Sequence, residues 1–154
     1  MDSEKLDYVK SDVYLVHAKY IATTPVKPQQ SVITGVVDLS ADGVLTIHPR
    51  FDFSANFPAI NTWDAIRGAC EHDAFYWLMK NGYLSYEFRR LIDYFFYWRL
   101  VKDGMPKFRA RYWWHAVRLG GESALRSAPP EVRYAPQPPK LIERSVHFPY
   151  LPVV

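Results

Sequence analysis

Residues 69–76 read ACEHDAFY, Ala69 to Tyr76, and the setting of this stretch decides the fold. It lies inside a run with helix signals at both ends. Asn61 or Thr62 can cap the start, Asp64 falls in the first turn, and Asn81-Gly82 follows Lys80 as a stop. Ser85 can cap a second helix over 86–102, which Asp103-Gly104 closes. Pro106 opens a third helix running to about Leu119, with Gly120-Gly121 read as its end. Two helices joined at 81–84 predict an antiparallel hairpin. His72 and Asp93 are then equidistant from the turn, with their midpoint between residues 82 and 83. Equal rise per residue on both helices puts them at the same height. The stripe through His72 holds Ala65, Ala69, Tyr76 and Met79; that through Asp93 holds Tyr86, Arg90, Tyr97 and Leu100. Both stripes can face inward.

Upstream, residues 13–18 and 32–38 are rich in β-branched and aromatic residues, and SADG at 40–43 separates Val36–Leu39 from Val44–His48 as a hairpin. TTPVKPQQ reads as a proline-bearing loop, and 50–62 (RFDFSANFPAINT) has no period and reads as an ordered loop. Residues 127–154 hold seven of the twelve prolines and no periodicity, which predicts an extended arm. Its apolar end, VHFPYLPVV, is expected to dock on the same chain or on a neighbour. The fold expected is α+β: a small N-terminal β portion, an antiparallel helical hairpin plus a third helix, and an extended C-terminal arm. The domain spans 1–126 and the arm 127–154.

The 154 residues are one domain's worth, with 49% hydrophobic and 16% aromatic side chains, enough for a packed core. A net charge of +3 is too small to argue for nucleic acid, and none is expected as a partner. Cys70 is the only cysteine, so no internal disulfide can brace the fold. Residues 1–12 carry six charged side chains and no apolar segment, and no run approaches the 18 apolar residues of a membrane span. A soluble product with neither signal peptide nor transmembrane segment is expected.

The polar residues of the hairpin carry a specific chemistry. A carboxylate on one ring nitrogen of a buried histidine fixes its tautomer and leaves the other nitrogen to activate water. Asp73 points about 100° away from His72 around a helix, toward the 51–58 loop, where Asp52 supplies a second carboxylate. Two carboxylates with backbone carbonyls suit a hard cation such as calcium. Zinc is not expected, because one thiol and scattered histidines show no ligand spacing.

The stretch ACEHDAFY, followed 21 residues after its histidine by Asp93 on the next helix, resembles the prokaryotic phospholipase A2 family over roughly 50–100. The resemblance implies a His72–Asp93 dyad activating water, Asp73 and Asp52 as calcium ligands, and Tyr76 in support. A second resemblance spans about 30–125. FDFSANFP, ACEHDAFY, LIDYFF and RARYWWHAVRLGG, in that order, are similar to a family of small uncharacterised phage and prophage proteins with an Asp-Ser loop and an HD-x-x-Y helix. It implies a phage origin.

Plainer roles compete for several features. YFFYW at 94–98 fits a buried aromatic helix better than a lipid surface. RARYWWHAVR at 109–118 fits an amphipathic core helix better than a nucleic-acid strip. Ser54 lacks a nucleophile elbow and is not read as catalytic. The expectation is therefore a virion-associated tail or assembly protein with a phospholipase-like His-Asp core that hydrolyses envelope lipid esters. It would be made in the host cytoplasm, and its arm would bind other phage structural proteins, with a lipid surface as a second partner. The alternative is a purely structural assembly protein whose His-Asp core is catalytically silent.

Overall fold

The structure, a computed structural model, describes residues 5–6, 8–10, 14–54 and 62–126. The proline-rich arm and the segment 55–61 lie outside the described residues. The chain is α+β. Among the described residues six short strands come first: β1 Tyr8–Lys10, β2 Tyr14–Val16, β3 Tyr20–Thr23, β4 Val37–Leu39, β5 Val44–Ile47 and β6 Asp52–Phe53. Three α-helices follow among the same residues: α1 Trp63–Lys80, α2 Arg89–Lys102 and α3 Lys107–Arg126.

The strands form two antiparallel three-stranded sheets, ordered β1-β2-β6 and β3-β5-β4. Alternation decides which face is buried. Tyr20 and Ala22 of β3, Val37 and Leu39 of β4, and Leu45 and Ile47 of β5 all turn to the core. Gly43 closes the β4–β5 hairpin at φ +88°, and a side chain there would collide with the Thr24 carbonyl at 2.5 Å. The expected 32–38 strand is reduced to a single bridge, Val32 to Leu39, and then β4. Gly35 at φ +78° breaks the extension, and Asp38 turns back to accept from the backbone N–H groups of Thr34 and Gly35. The 50–62 segment is not all loop: Asp52 pairs with Leu15 and Phe53 with Tyr14, adding β6 to the first sheet.

α1 begins after Thr62 and ends at Asn81, and Gly82 takes φ +77°. Ser85 accepts from the Glu87 N–H and starts a single 3₁₀ turn, Tyr86–Phe88, which leads into α2. Contacts between α1 and α2 fall symmetrically about the turn: Arg67 with Asp103, Glu71 with Arg99, His72 with Asp93. That ladder makes the pair antiparallel. Gly68 allows the close approach, its α-carbon side lying against Phe96 and Leu100. The inward face of α2 is Ile92, Asp93, Phe96, Arg99 and Leu100, whereas Tyr86 and Arg90 of the expected stripe are exposed. The rotation differs because the α2 ridge that packs on α1 steps from Asp93 to Phe96 and Leu100.

α3 does not stop at Gly120-Gly121 but continues through them to Arg126. The glycines are there for space: a side chain at 121 would strike the Tyr76 ring, whose Cε1 lies 2.9 Å from the position of its Cβ. One apolar cluster joins both sheets to α1; a second, of Ala65, Phe96, Leu100, Met105, Ala110 and Trp113, seals α3 against α1 and α2.

A buried polar bridge ties the sheet to the helices. Tyr20 of β3 donates to Glu71 Oε1 at 2.5 Å, and Arg99 Nε donates to Glu71 Oε2 at 2.7 Å. Glu71 is 1% exposed, and the Arg99 guanidinium lies 4.9 Å over the Phe95 ring. Burial pushes the Glu71 carboxyl up, although Arg99 and Tyr20 act against it.

Candidate functional site

His72 sits on the inner face of α1, packed between the rings of Tyr76 and Phe96 at 4.2 and 4.9 Å between centroids. Its Nε2 meets Asp93 Oδ1 of α2 at 2.8 Å. Asp93 has no solvent exposure and four neighbours hold it. Tyr76 donates its hydroxyl to Oδ1 at 2.8 Å, and Arg118 of α3 donates Nη1 to Oδ2 at 2.8 Å. Arg89, one turn before Asp93, lies 3.8 Å from Oδ2 and donates to the Tyr76 hydroxyl at 3.2 Å and to the Arg118 carbonyl at 2.7 Å. All three helices therefore meet on one carboxylate.

The other ring nitrogen, Nδ1, lies 4.0 Å from Asp73 Oδ1, too far for a direct hydrogen bond. Asp73 itself accepts from the Ser54 backbone N–H at 2.9 Å, which fastens the end of β6 to α1. His72 keeps 8% exposure, at the edge of an open cavity of about 250 Å³. Ser54, Asp73 and Tyr76 line one side of this cavity. The other side is the small-residue face of α3, with Ala116, Gly120, Gly121 and Ala124.

The charges are set by this packing. Burial acts to lower the His72 pKa, but Asp73 and Asp93 overcome it and raise it above the ordinary 6.5. Burial acts to raise Asp93, and the interactions with His72, Arg118 and Tyr76 leave it below the ordinary 3.8. The Tyr76 hydroxyl is pushed well up by burial and by the Asp93 charge, so it remains a donor. The Cys70 thiol is buried and its pKa raised by that burial, which makes it inert.

The structure thus brings together His72, Asp93, Tyr76 and Asp73. Asp52 is exposed on β6 and is not among the cavity's lining residues, although Ser54, two residues on, binds Asp73. The calcium implied by the phospholipase resemblance would draw on carbonyls of the 51–58 loop, of which 55–58 lie outside the described residues. At Ser54 the backbone turns its N–H toward Asp73, the opposite polarity to a ligating carbonyl. Among the described residues no three His, Cys, Asp or Glu side chains are placed to hold a metal ion. Also among them, no helix is long and apolar enough to cross a membrane.

Arg118 and Arg89 had no role in the site expected from the sequence, and Gly120-Gly121 figured there only as a helix end. Arg118 lies one position past Val117 on an amphipathic helix and carries no local signal toward Asp93, because packing of α3 on α2 alone brings the two together. No protein-family model, no curated protein and no solved structure matches the chain.

Proposed function

We propose that the chain is a lipid-ester hydrolase in which His72 activates water. One observation carries this reading: His72 is held by Asp93 at 2.8 Å through Nε2 while its edge opens on the 250 Å³ cavity. Neutral His72 takes a proton from water at Nδ1, and the hydroxide attacks the ester carbonyl. Asp93 stabilises the imidazolium and keeps Nε2 protonated, and the proton then passes to the leaving alkoxide. The cavity's apolar α3 side suits the hydrocarbon end of a lipid better than a sugar or a nucleotide. No step is derived through calcium. The phage particle as the setting, with other virion proteins as partners, rests on the sequence resemblance alone.

A silent structural core is the second reading, and a specific observation favours it. Both Asp93 oxygens are occupied, and Arg118 offsets the charge that His72 would draw on. The deciding experiment is fatty-acid release from phospholipid–detergent mixed micelles, run with calcium and with chelator. Release that His72→Ala abolishes supports the hydrolase. Release unchanged in the variant, or none from the wild type, leaves the structural core. Dependence on added calcium would restore the metal that the described donors do not support.

A further inference from the structure

A second cleft, of about 270 Å³, lies between α2 and α3 and is lined by Tyr94, Tyr97, Trp98, Arg111 and Trp114. Its aromatic walls are open rather than packed: Tyr94 is 50% and Trp98 47% exposed. The two rings meet edge to face at 6.1 Å, and Tyr97 stacks on Tyr94 at 6.2 Å, so the walls stand at an angle. Trp114 adds a polar demand. Its Nε1 is buried and has no hydrogen-bond partner among the described residues. A buried donor left without an acceptor is destabilising.

Aromatic walls with an indole N–H lacking an acceptor match one kind of peptide. A proline-rich strand presents flat apolar rings to aromatic faces. Its carbonyls are strong acceptors, and its proline residues bring no N–H groups to be buried. It also loses little entropy on docking, because the polyproline conformation is already extended. The chain carries a sequence of this kind itself. Residues 127–154 follow α3 directly and repeat the spacing Pro-x-x-Pro at Pro136–Pro139 and Pro149–Pro152.

The reach is sufficient. Trp114 lies twelve residues before the last residue of α3, Arg126, or about 18 Å back along the helix. The ten residues from 127 to 136 span about 31 Å in the polyproline form, enough to turn at the helix end and return. A short tether also raises the local concentration to the millimolar range. The cleft nearer the tail, formed by Tyr86, Arg89, Glu122, Leu125 and Arg126, has Tyr86 as its single aromatic ring and so offers a proline strand fewer ring faces.

We propose that the Tyr94–Trp98–Trp114 cleft is the docking site for this chain's own proline-rich segment. Pro136–Pro139 seat against Tyr94 and Trp98, and a carbonyl of that stretch accepts the Trp114 Nε1–H. This assignment is independent of the His72 chemistry.

The test uses the full chain. Hydrogen exchange by mass spectrometry reads the amides of 131–137, and NMR reads the Trp114 indole N–H. In the wild type the segment should exchange at least tenfold slower than an unstructured peptide of its sequence. Trp98→Ala should remove that protection while leaving α1 and β5 unchanged, and so should the combined Pro136→Ala and Pro139→Ala changes. The indole resonance should move in both variants. Exchange at the unstructured rate in the wild type, or protection that survives both variants, overturns the assignment. Protection that appears only at concentrations where light scattering shows a dimer also overturns it, and gives the cleft to a second copy's segment.

Discussion

His72 and Asp93 stand 21 residues apart in the chain, yet join Nε2 to Oδ1 at 2.8 Å across the turn between α1 and α2. Each holds the other in its charged form, and stability inherits that dependence on pH. Asp93 is depressed below 3.8, so its contribution is present above that value and is lost as pH falls through the folded one. His72 is raised above 6.5, so its contribution is complete below 6.5 and is lost as pH rises through the folded one. The pair therefore stabilises most between these two ordinary values, 3.8 and 6.5. Calorimetric Tm values should fall on both sides of that window. His72→Gln should flatten the alkaline side, and an alkaline slope unchanged in that variant would refute the coupling. The proposed hydrolysis needs neutral His72, so its rate should rise with pH where stability declines.

The bridge of Tyr20, Glu71 and Arg99 should behave as a unit. Glu71 and Arg99 are almost wholly buried, and removing one partner strands the charge of the other. Glu71→Ala or Arg99→Ala should each cost about 3–5 kcal/mol in urea denaturation. Replacing both with apolar residues of similar volume should cost less than either single change. A double variant as unstable as the sum of the singles would mean that the pair acts through packing alone. Tyr20→Phe, which leaves Glu71 its Arg99 bond, should cost only about 1–3 kcal/mol.

How much of this was legible in the sequence follows from which interactions are local. The stop at Asn81-Gly82 and the start at Ser85 came from turn and capping chemistry, which acts within a few residues. By contrast, α1 starts after Thr62 as expected although the Thr62 side chain makes no capping bond and donates to Asp64 instead. The height match of His72 with Asp93 came from the turn between them, because a short hairpin fixes register. Rotation about α2 was not legible. It is set by Phe96 and Leu100 packing at Gly68, a contact between residues about thirty positions apart. Gly120-Gly121 misled for the same reason: glycine pairs end helices locally, but here the Tyr76 ring, held by Asp93 and Arg89, requires the space. Arg118 on Asp93 joins helices related only through the packed core, and no spacing rule points to it.

Gly121 offers a test with opposed effects. Alanine is a better helix former by about 1 kcal/mol, which alone would stabilise α3. Its methyl group, however, would meet the Tyr76 hydroxyl end, which cannot simply swing aside while Asp93 and Arg89 hold it. Gly121→Ala should therefore lower stability by about 1–3 kcal/mol. Adding Tyr76→Phe should recover part of the loss, since the shorter ring relieves the contact. A stabilised Gly121→Ala variant would show that Tyr76 is free to move.

Arg118 sets how strongly His72 feels Asp93. Its guanidinium lies 2.8 Å from Asp93 Oδ2, on the side of the carboxylate away from His72, and partly cancels the charge that raises the imidazole. Removing that cation leaves more of the Asp93 charge to His72 and relieves repulsion between Arg118 and the imidazolium. Both effects favour the protonated ring. In Arg118→Gln the His72 titration midpoint, followed by NMR of the ring carbons, should move upward. Any activity should then begin at correspondingly higher pH, and Arg118→Lys should restore most of the wild-type value. Arg118 is about a third exposed, so solvent screens it in part and the shift should shrink in high salt. A downward shift, or none while stability falls, would show that Arg118 only braces α3 and leaves the electrostatics of the pair untouched.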